Sequence, residues 1–213
     1  MFKFHDVEQN SEEWDLLRAG KITSSGLARI MAHSDKDKFG EPAIKYAVTI
    51  ALGQITGEVV PQAYTNSDMD RGHEDEVLAR LAYEEKYFCT VGNGGFFSLN
   101  DVGCSPDGLI GDDGVVEFKT ANDNIHYDRI IKQTYDSTYK WQLVGNLKFT
   151  RRNWIDFVSF CPAYPEDKRL YVKRCYKQDF EKEFAQVDIR LVEFRALIDK
   201  VKQNILKSNY SLI

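Results

Sequence analysis

The chain has 213 residues, 43% hydrophobic and 13% aromatic, which is enough apolar side chain for one substantial core, so a single domain over 1–213 is expected. Its longest apolar runs, such as Phe96-Phe97 and Val115-Val116, fall far short of the roughly 20 residues of a membrane helix, and Met1-Phe2-Lys3-Phe4 lacks the cationic start and apolar stretch of a secretory signal. A net charge of −5 argues against a nucleic-acid binder unless basic residues gather on one surface, as Lys148–Arg152 and Lys168–Lys177 could do.

The four cysteines, Cys89, Cys104, Cys161 and Cys175, form no C-x-x-C pair, which excludes a zinc or iron–sulfur site built from local ligands and leaves reduced structural thiols in a cytoplasmic protein. In chain order, the first helix is expected from an Asn10 cap, with Glu13 completing a capping box, to a stop at Gly20. A short helix follows Ile22-Thr23-Ser24-Ser25, whose free N–H groups would seat an anion. Pro42 suits the first turn of a third helix presenting Ile44, Ala47, Val48, Ala51, Leu52 and Ile55 on one side, with Gly57 as its stop. Ser67 or Asp68 opens a fourth helix through Val77, Leu78, Leu81 and Ala82. The period then changes: Tyr87–Val91, Gly95–Leu99, Val102–Cys104 and Val115–Lys119 are short, β-branched or aromatic, and separated by turn residues. Helical patterns resume over Ile125–Leu147, strands follow at Ile155–Cys161 and Leu170–Cys175, and an amphipathic helix runs from Gln178 to about Leu206. This order predicts an α/β fold, a central mixed sheet flanked by helices.

The stretch from Cys104 to Lys119 carries the chemistry. Ser105-Pro106-Asp107-Gly108 fits a turn, and Gly111-Asp112-Asp113-Gly114 fits a hairpin loop between two apolar strands. The hairpin folds Asp107 back toward Glu117 and Lys119, which leave the same face of their strand. Two carboxylates with a lysine beside them are what phosphodiester hydrolysis requires: the acids hold Mg²⁺, and the lysine orients or helps deprotonate water and offsets charge on phosphate. Taken alone, a V-E-x-K segment is more often a solvated strand face, and Ser-Pro-Asp-Gly more often only a turn. The combination, on a strand flanked by apolar residues where unexplained charge is costly, favours a metal-dependent nuclease. A plain four-residue loop over 111–114 would set Asp107 opposite Phe118 and on the wrong face, so an odd loop, a bulge or an Asp107 just off the strand is expected.

Cys104-Ser105-Pro106-Asp107-Gly108-Leu109 followed by Glu117-Phe118-Lys119 resembles the core of the lambda exonuclease and YqaJ-type viral recombinase family, within the PD-(D/E)XK nuclease superfamily. Trp14-Asp15-Leu16-Leu17-Arg18-Ala19-Gly20-Lys21-Ile22-Thr23-Ser24-Ser25, Arg71-Gly72-His73-Glu74-Asp75-Glu76 and Tyr139-Lys140-Trp141-Gln142-Leu143 resemble further motifs of the family, in its order. The resemblance implies a restriction-endonuclease-like core. It also implies a 5′→3′ exonuclease on linear double-stranded DNA that releases mononucleotides and leaves a 3′ single strand for annealing-type recombination. By the same resemblance, Asp107, Glu117 and the Phe118 carbonyl would bind Mg²⁺, with Mn²⁺ as its substitute. Lys119 would assist the nucleophilic water, Glu76 and Gln142 would order the surrounding shell, and Arg18 and Ser25 would grip the 5′-phosphate. Met69 falls where the family splits the terminal base pair. A homotrimeric ring, a single-strand-annealing partner and a phage or prophage origin in a bacterial host are implied as well. The chain departs from the lambda member in carrying no acid over Gly94-Gly95-Phe96-Phe97-Ser98 and in having Val144 where a second glutamine stands. An endonuclease with the same core, or a DNA-binding recombination scaffold without catalysis, are the competing readings.

Overall fold

A computed structural model describes residues 2–34, 38–59 and 67–207, with the backbone alone over 67–74. After strand β1 (Lys3–His5), helix α1 (Glu12–Arg18) opens one residue later than expected. The Ser11 hydroxyl accepts from the Trp14 amide at 3.2 Å, and Asn10 turns the chain with φ of 64° just outside the helix. Strand β2 (Ile22–Thr23) and a 3-10 turn over Ser24–Gly26 precede helix α2 (Leu27–Met31).

Helix α3 (Glu41–Thr56) has Pro42 in its first turn and Gly57 as a left-handed stop. Its buried face differs from the expected one: Ala43, Tyr46, Ala47, Ile50 and Ala51 pack inward, whereas Ile44, Val48 and Ile55 lie on the outside. Small residues let α3 lie close against helix α7 (Glu181–Lys207), where Tyr46 stacks on Phe194 with ring centroids 5.8 Å apart. In α3 the small side chains face inward because close approach favours alanine over larger aliphatics. Helix α4 (Ser67–Tyr87) buries Ala79 and Tyr83 and exposes Val77, Leu78 and Leu81.

Two mixed sheets form where one was expected. The first, in the order β1-β4-β5-β2, adds β4 (Phe96–Leu99) and β5 (Val102–Cys104) to the two N-terminal strands. The second, in the order β3-β6-β7-β8-β9, contains β3 (Val91–Asn93), β6 (Gly108–Ile110), β7 (Gly114–Thr120), β8 (Trp154–Phe160) and β9 (Leu170–Tyr176). Tyr87 ends α4 rather than starting a strand. All pairings are antiparallel except β2 with β5 and β7 with β8. Helices α5 (Asp123–Lys132) and α6 (Lys140–Thr150) form the crossover between the two parallel strands. Strand β7 is therefore covered on both faces, with Val115 packing into the core around α6 and Val116 and Phe118 into a second core under α4.

A buried ion pair ties α4 to this sheet. Asp156 on β8 is fully buried and accepts two bonds from the Arg174 guanidinium on β9, both 2.8 Å, and one from the Tyr83 hydroxyl on α4, 2.6 Å.

Candidate active site

Strand β7 sends Glu117 and Lys119 toward α6. Three residues, Gly111, Asp112 and Asp113, connect β6 to β7, and the register pairs Gly108 with Val116, Leu109 with Val115 and Ile110 with Gly114. Continued by one step, that register sets Asp107 opposite Glu117, on the face a four-residue loop would have denied it. Asp107 lies in the bend where the chain leaves the first sheet for the second. Its Oδ2 accepts from the Phe118 amide at 2.7 Å and sits 3.9 Å from Lys119 Nζ, which is 2.6 Å from Glu117 Oε1. The three side chains expected to meet do meet.

The turn that holds Asp107 is fixed from several sides. A Cβ on Gly94 would fall 1.7 Å from the Pro106 carbonyl oxygen, so glycine is required there by close approach. Gln9 donates to the same carbonyl at 2.8 Å. Arg80 on α4 donates to the Asp107 carbonyl at 2.7 Å and to the Val91 carbonyl at 3.0 Å. Glu76, half-buried on α4, stands one turn before Arg80 and so on the same side of that helix. Of the rest of its motif, the side chains of Arg71 to Glu74 lie outside the described residues, as does that of Met69.

Helix α6 completes the site. Gln142 donates to Glu117 Oε1, and Asn146, one turn further on, donates to Glu117 Oε2 at 2.7 Å. Asn146 and Arg80 were not singled out from sequence, although the i, i+4 spacing of Gln142 and Asn146 marks one helix face. Glu117 is fully buried. Burial first, and the neighbouring Asp107 second, push its carboxyl up to about 7, with Lys119 and Asn146 opposing. Burial alone would lower the Lys119 ammonium, but Glu117 and Asp107 together raise it, so it remains a charged donor.

The donor set fits a hard divalent cation. Two carboxylates repel each other across a space that one ammonium only partly neutralises. The Phe118 N–H points at Asp107, and in a strand the carbonyl of the same residue points to the same side. Among the described residues no group of three or more His, Cys, Asp or Glu could hold a metal ion. A cation here would therefore use two carboxylates with backbone oxygen and water, the habit of Mg²⁺.

Arg18 and Ser25 are carried by segments that pack against neighbours of this site, Trp14 on Ser105 and Ser24 on Gly145. The Arg18 guanidinium stacks 3.8 Å over Trp14, whose indole donates at 2.7 Å to Ser105, two residues before Asp107. Among the described residues Arg18 has no hydrogen-bonding or ion-pair partner. Ser25 is exposed, with its hydroxyl 3.1 Å from that of Thr23, which is in turn 3.3 Å from that of Tyr46. No side-chain cap serves the turn at Ser24–Gly26 or helix α2.

Much of the two basic clusters is already engaged. Lys148 pairs with Asp188, Arg174 with Asp156, Lys168 with Asp167 and Arg169 with Glu166, while Arg152 binds the carbonyls of Gly111 and Gly114. No helix among the described residues is long and apolar enough to cross a membrane.

No curated protein matches the chain. Among solved structures, the alkaline exonuclease LHK-Exo from Laribacter hongkongensis is 28% identical, with a TM-score of 0.75, covering 93% of this chain and 100% of the other. The same enzyme in complex with dAMP gives a TM-score of 0.77 at the same identity and coverage. A phage-related exonuclease from Haemophilus somnus 129PT shares the fold at 16% identity, with a TM-score of 0.66 over 87% of this chain and 96% of that one. The mixed α/β fold is thus of the PD-(D/E)XK type expected from the sequence. The model of the YqaJ-like viral recombinase domain matches residues 13–153, a span that takes in Arg18, Asp107, Glu117 and Gln142, and the chain belongs to that family.

Proposed function

We propose that this protein is a Mg²⁺-dependent exonuclease that digests the 5′-ended strand of linear duplex DNA to mononucleotides, leaving a 3′ single strand for annealing-type recombination. The observation that carries the reading is the meeting of Asp107, Glu117 and Lys119 in one pocket. Family membership and the likeness to alkaline exonucleases support a nuclease of recombination, and the dAMP complex of the relative is in keeping with mononucleotide products.

Asp107, Glu117 and the Phe118 carbonyl would hold the cation. When bound, it would supply Lewis-acid polarisation of the scissile phosphate and a more acidic water. Lys119, anchored by both acids, places an ammonium where negative charge builds on the phosphate and donates to the attacking water. Gln142 holds Glu117 in place, and Glu76 serves the outer water shell from α4. Arg18 offers an unpaired fork to a 5′-phosphate, and Ser25 adds an exposed hydroxyl. An end-specific grip of this kind favours an exonuclease over an endonuclease with the same core.

A homotrimeric ring and a single-strand-annealing partner belong to the same proposal; a ring threaded by DNA accounts for a net charge of −5 in a DNA enzyme. The function is tested by timed digestion of linear and closed circular duplexes, with and without chelator. Mg²⁺-dependent release of mononucleotides from linear DNA alone is expected, and lost by about 10²-fold or more in Lys119→Ala. Cutting of circles, or digestion that survives chelator, rejects it.

A further inference from the structure

We infer that Asn146 is a positioning residue that fixes the Glu117 carboxylate for divalent-cation binding, an inference that rests on the function proposed above. Asn146 is fully buried on α6, and its side-chain amide donates to Glu117 Oε2 at 2.7 Å. Gln142 and Lys119 both bind the other oxygen, Oε1. Lys119 also faces Asp107 Oδ2 at 3.9 Å, so Oε1 is the oxygen that shares an ammonium with Asp107. Asn146 engages the other oxygen, which neither Lys119 nor Gln142 holds. It sets the rotation of the carboxylate.

Packing alone does not account for an asparagine here. The Asn146 carbonyl oxygen, Oδ1, is buried with no hydrogen-bond partner. Turning the amide over would press that oxygen against Glu117 Oε2 and leave the nitrogen without a partner instead. In either orientation half of the amide is desolvated without compensation, a penalty that an apolar side chain of the same size would escape. The helix is held firmly enough to transmit the effect. A Cβ on the adjacent Gly145 would lie 2.7 Å from the Ser24 Cβ and 2.9 Å from the Ser24 Cα, so α6 sits directly on the turn over Ser24–Gly26. Buried Leu143, Val144 and Leu147 lock it further.

The test uses the full chain without DNA: calorimetric titration with Mg²⁺ and Mn²⁺, beside thermal unfolding in chelator. Asn146→Leu keeps the size and removes both polar ends. It should remain folded in chelator, the relief of the buried Oδ1 set against the donor lost to Glu117 Oε2, while its cation affinity falls by about tenfold or more, as for other groups that orient a metal ligand. A filler residue would move stability without moving affinity. Asn146→Ala reads the same affinity should the leucine variant fail to fold, and parental affinity in a folded variant overturns the inference. A parent chain that binds neither cation overturns the proposed function as well, so the two failures are separable.

Discussion

The carboxyl of Glu117, sealed between β7 and α6 with Asp107 across from it, gives up its proton near pH 7 in the folded chain against an ordinary value of 4.5. A raised acid holds its proton longer when folded, so its contribution to stability is full below pH 4.5 and is lost as pH rises through 7, each unit of displacement being worth about 1.4 kcal/mol. In chelator, Glu117→Gln should therefore gain stability on its parent steadily across that window. A stability difference that stays flat with pH, read from denaturant melts, would contradict the pocket described here. Arg18 differs from Glu117 in making no hydrogen bond or close ion pair among the described residues. Arg18→Ala should shrink the rate advantage of 5′-phosphorylated over 5′-hydroxyl ends by about tenfold or more, since charge-assisted bonds contribute about 1.5–3 kcal/mol. Equal preference in mutant and parent removes the phosphate role. Both positions were legible from sequence, one from the Glu-x-Lys spacing and one through family resemblance. Asn146 and Arg80 were not, because an amide and an arginine on helices carry no motif until their acceptors, Glu117 and the Asp107 carbonyl, are brought to them.

Among the elements, α4 depends on an interaction that periodicity does not reveal. Its inward face is Ala79 and Tyr83, and Tyr83 reaches Asp156, which Arg174 neutralises. Removing the partner of a buried charge costs about 3–5 kcal/mol, and somewhat less here because the Arg174 side chain is 39% exposed. Arg174→Met should lower unfolding free energy by about 2–4 kcal/mol. A loss under about 0.5 kcal/mol in urea melts, the range of ordinary surface changes, would mean that Asp156 is stabilised by other groups. The strands of the hairpin and the last helix were readable because alternation and length are strong signals there. Strands β1 and β2, of three and two residues, were not, since pairing with distant strands rather than local pattern makes them strands.

Among the described residues Lys148, Lys168, Arg169 and Arg174, which sequence assigned to a basic surface, are ion-paired, and the net charge is −5. An open monomer of this kind would hold DNA weakly at physiological salt, which is the reason for proposing a closed ring. Sedimentation at working concentration should show three copies together, and a monomer alone would remove the ring. The α/β class was legible in the order of elements, whereas the division into two sheets was not, because β3 pairs with the later β6 while β4 and β5 return to the N-terminal strands, a matter of distant pairing. Asp107 occupies the bend between β5 and β6 and Glu117 the sheet beyond it. The gap between the two acids therefore doubles as a caliper on how one sheet rests against the other: a slippage too slight to unfold the chain would still pull the acids apart, and catalysis would fade on warming before the fold does.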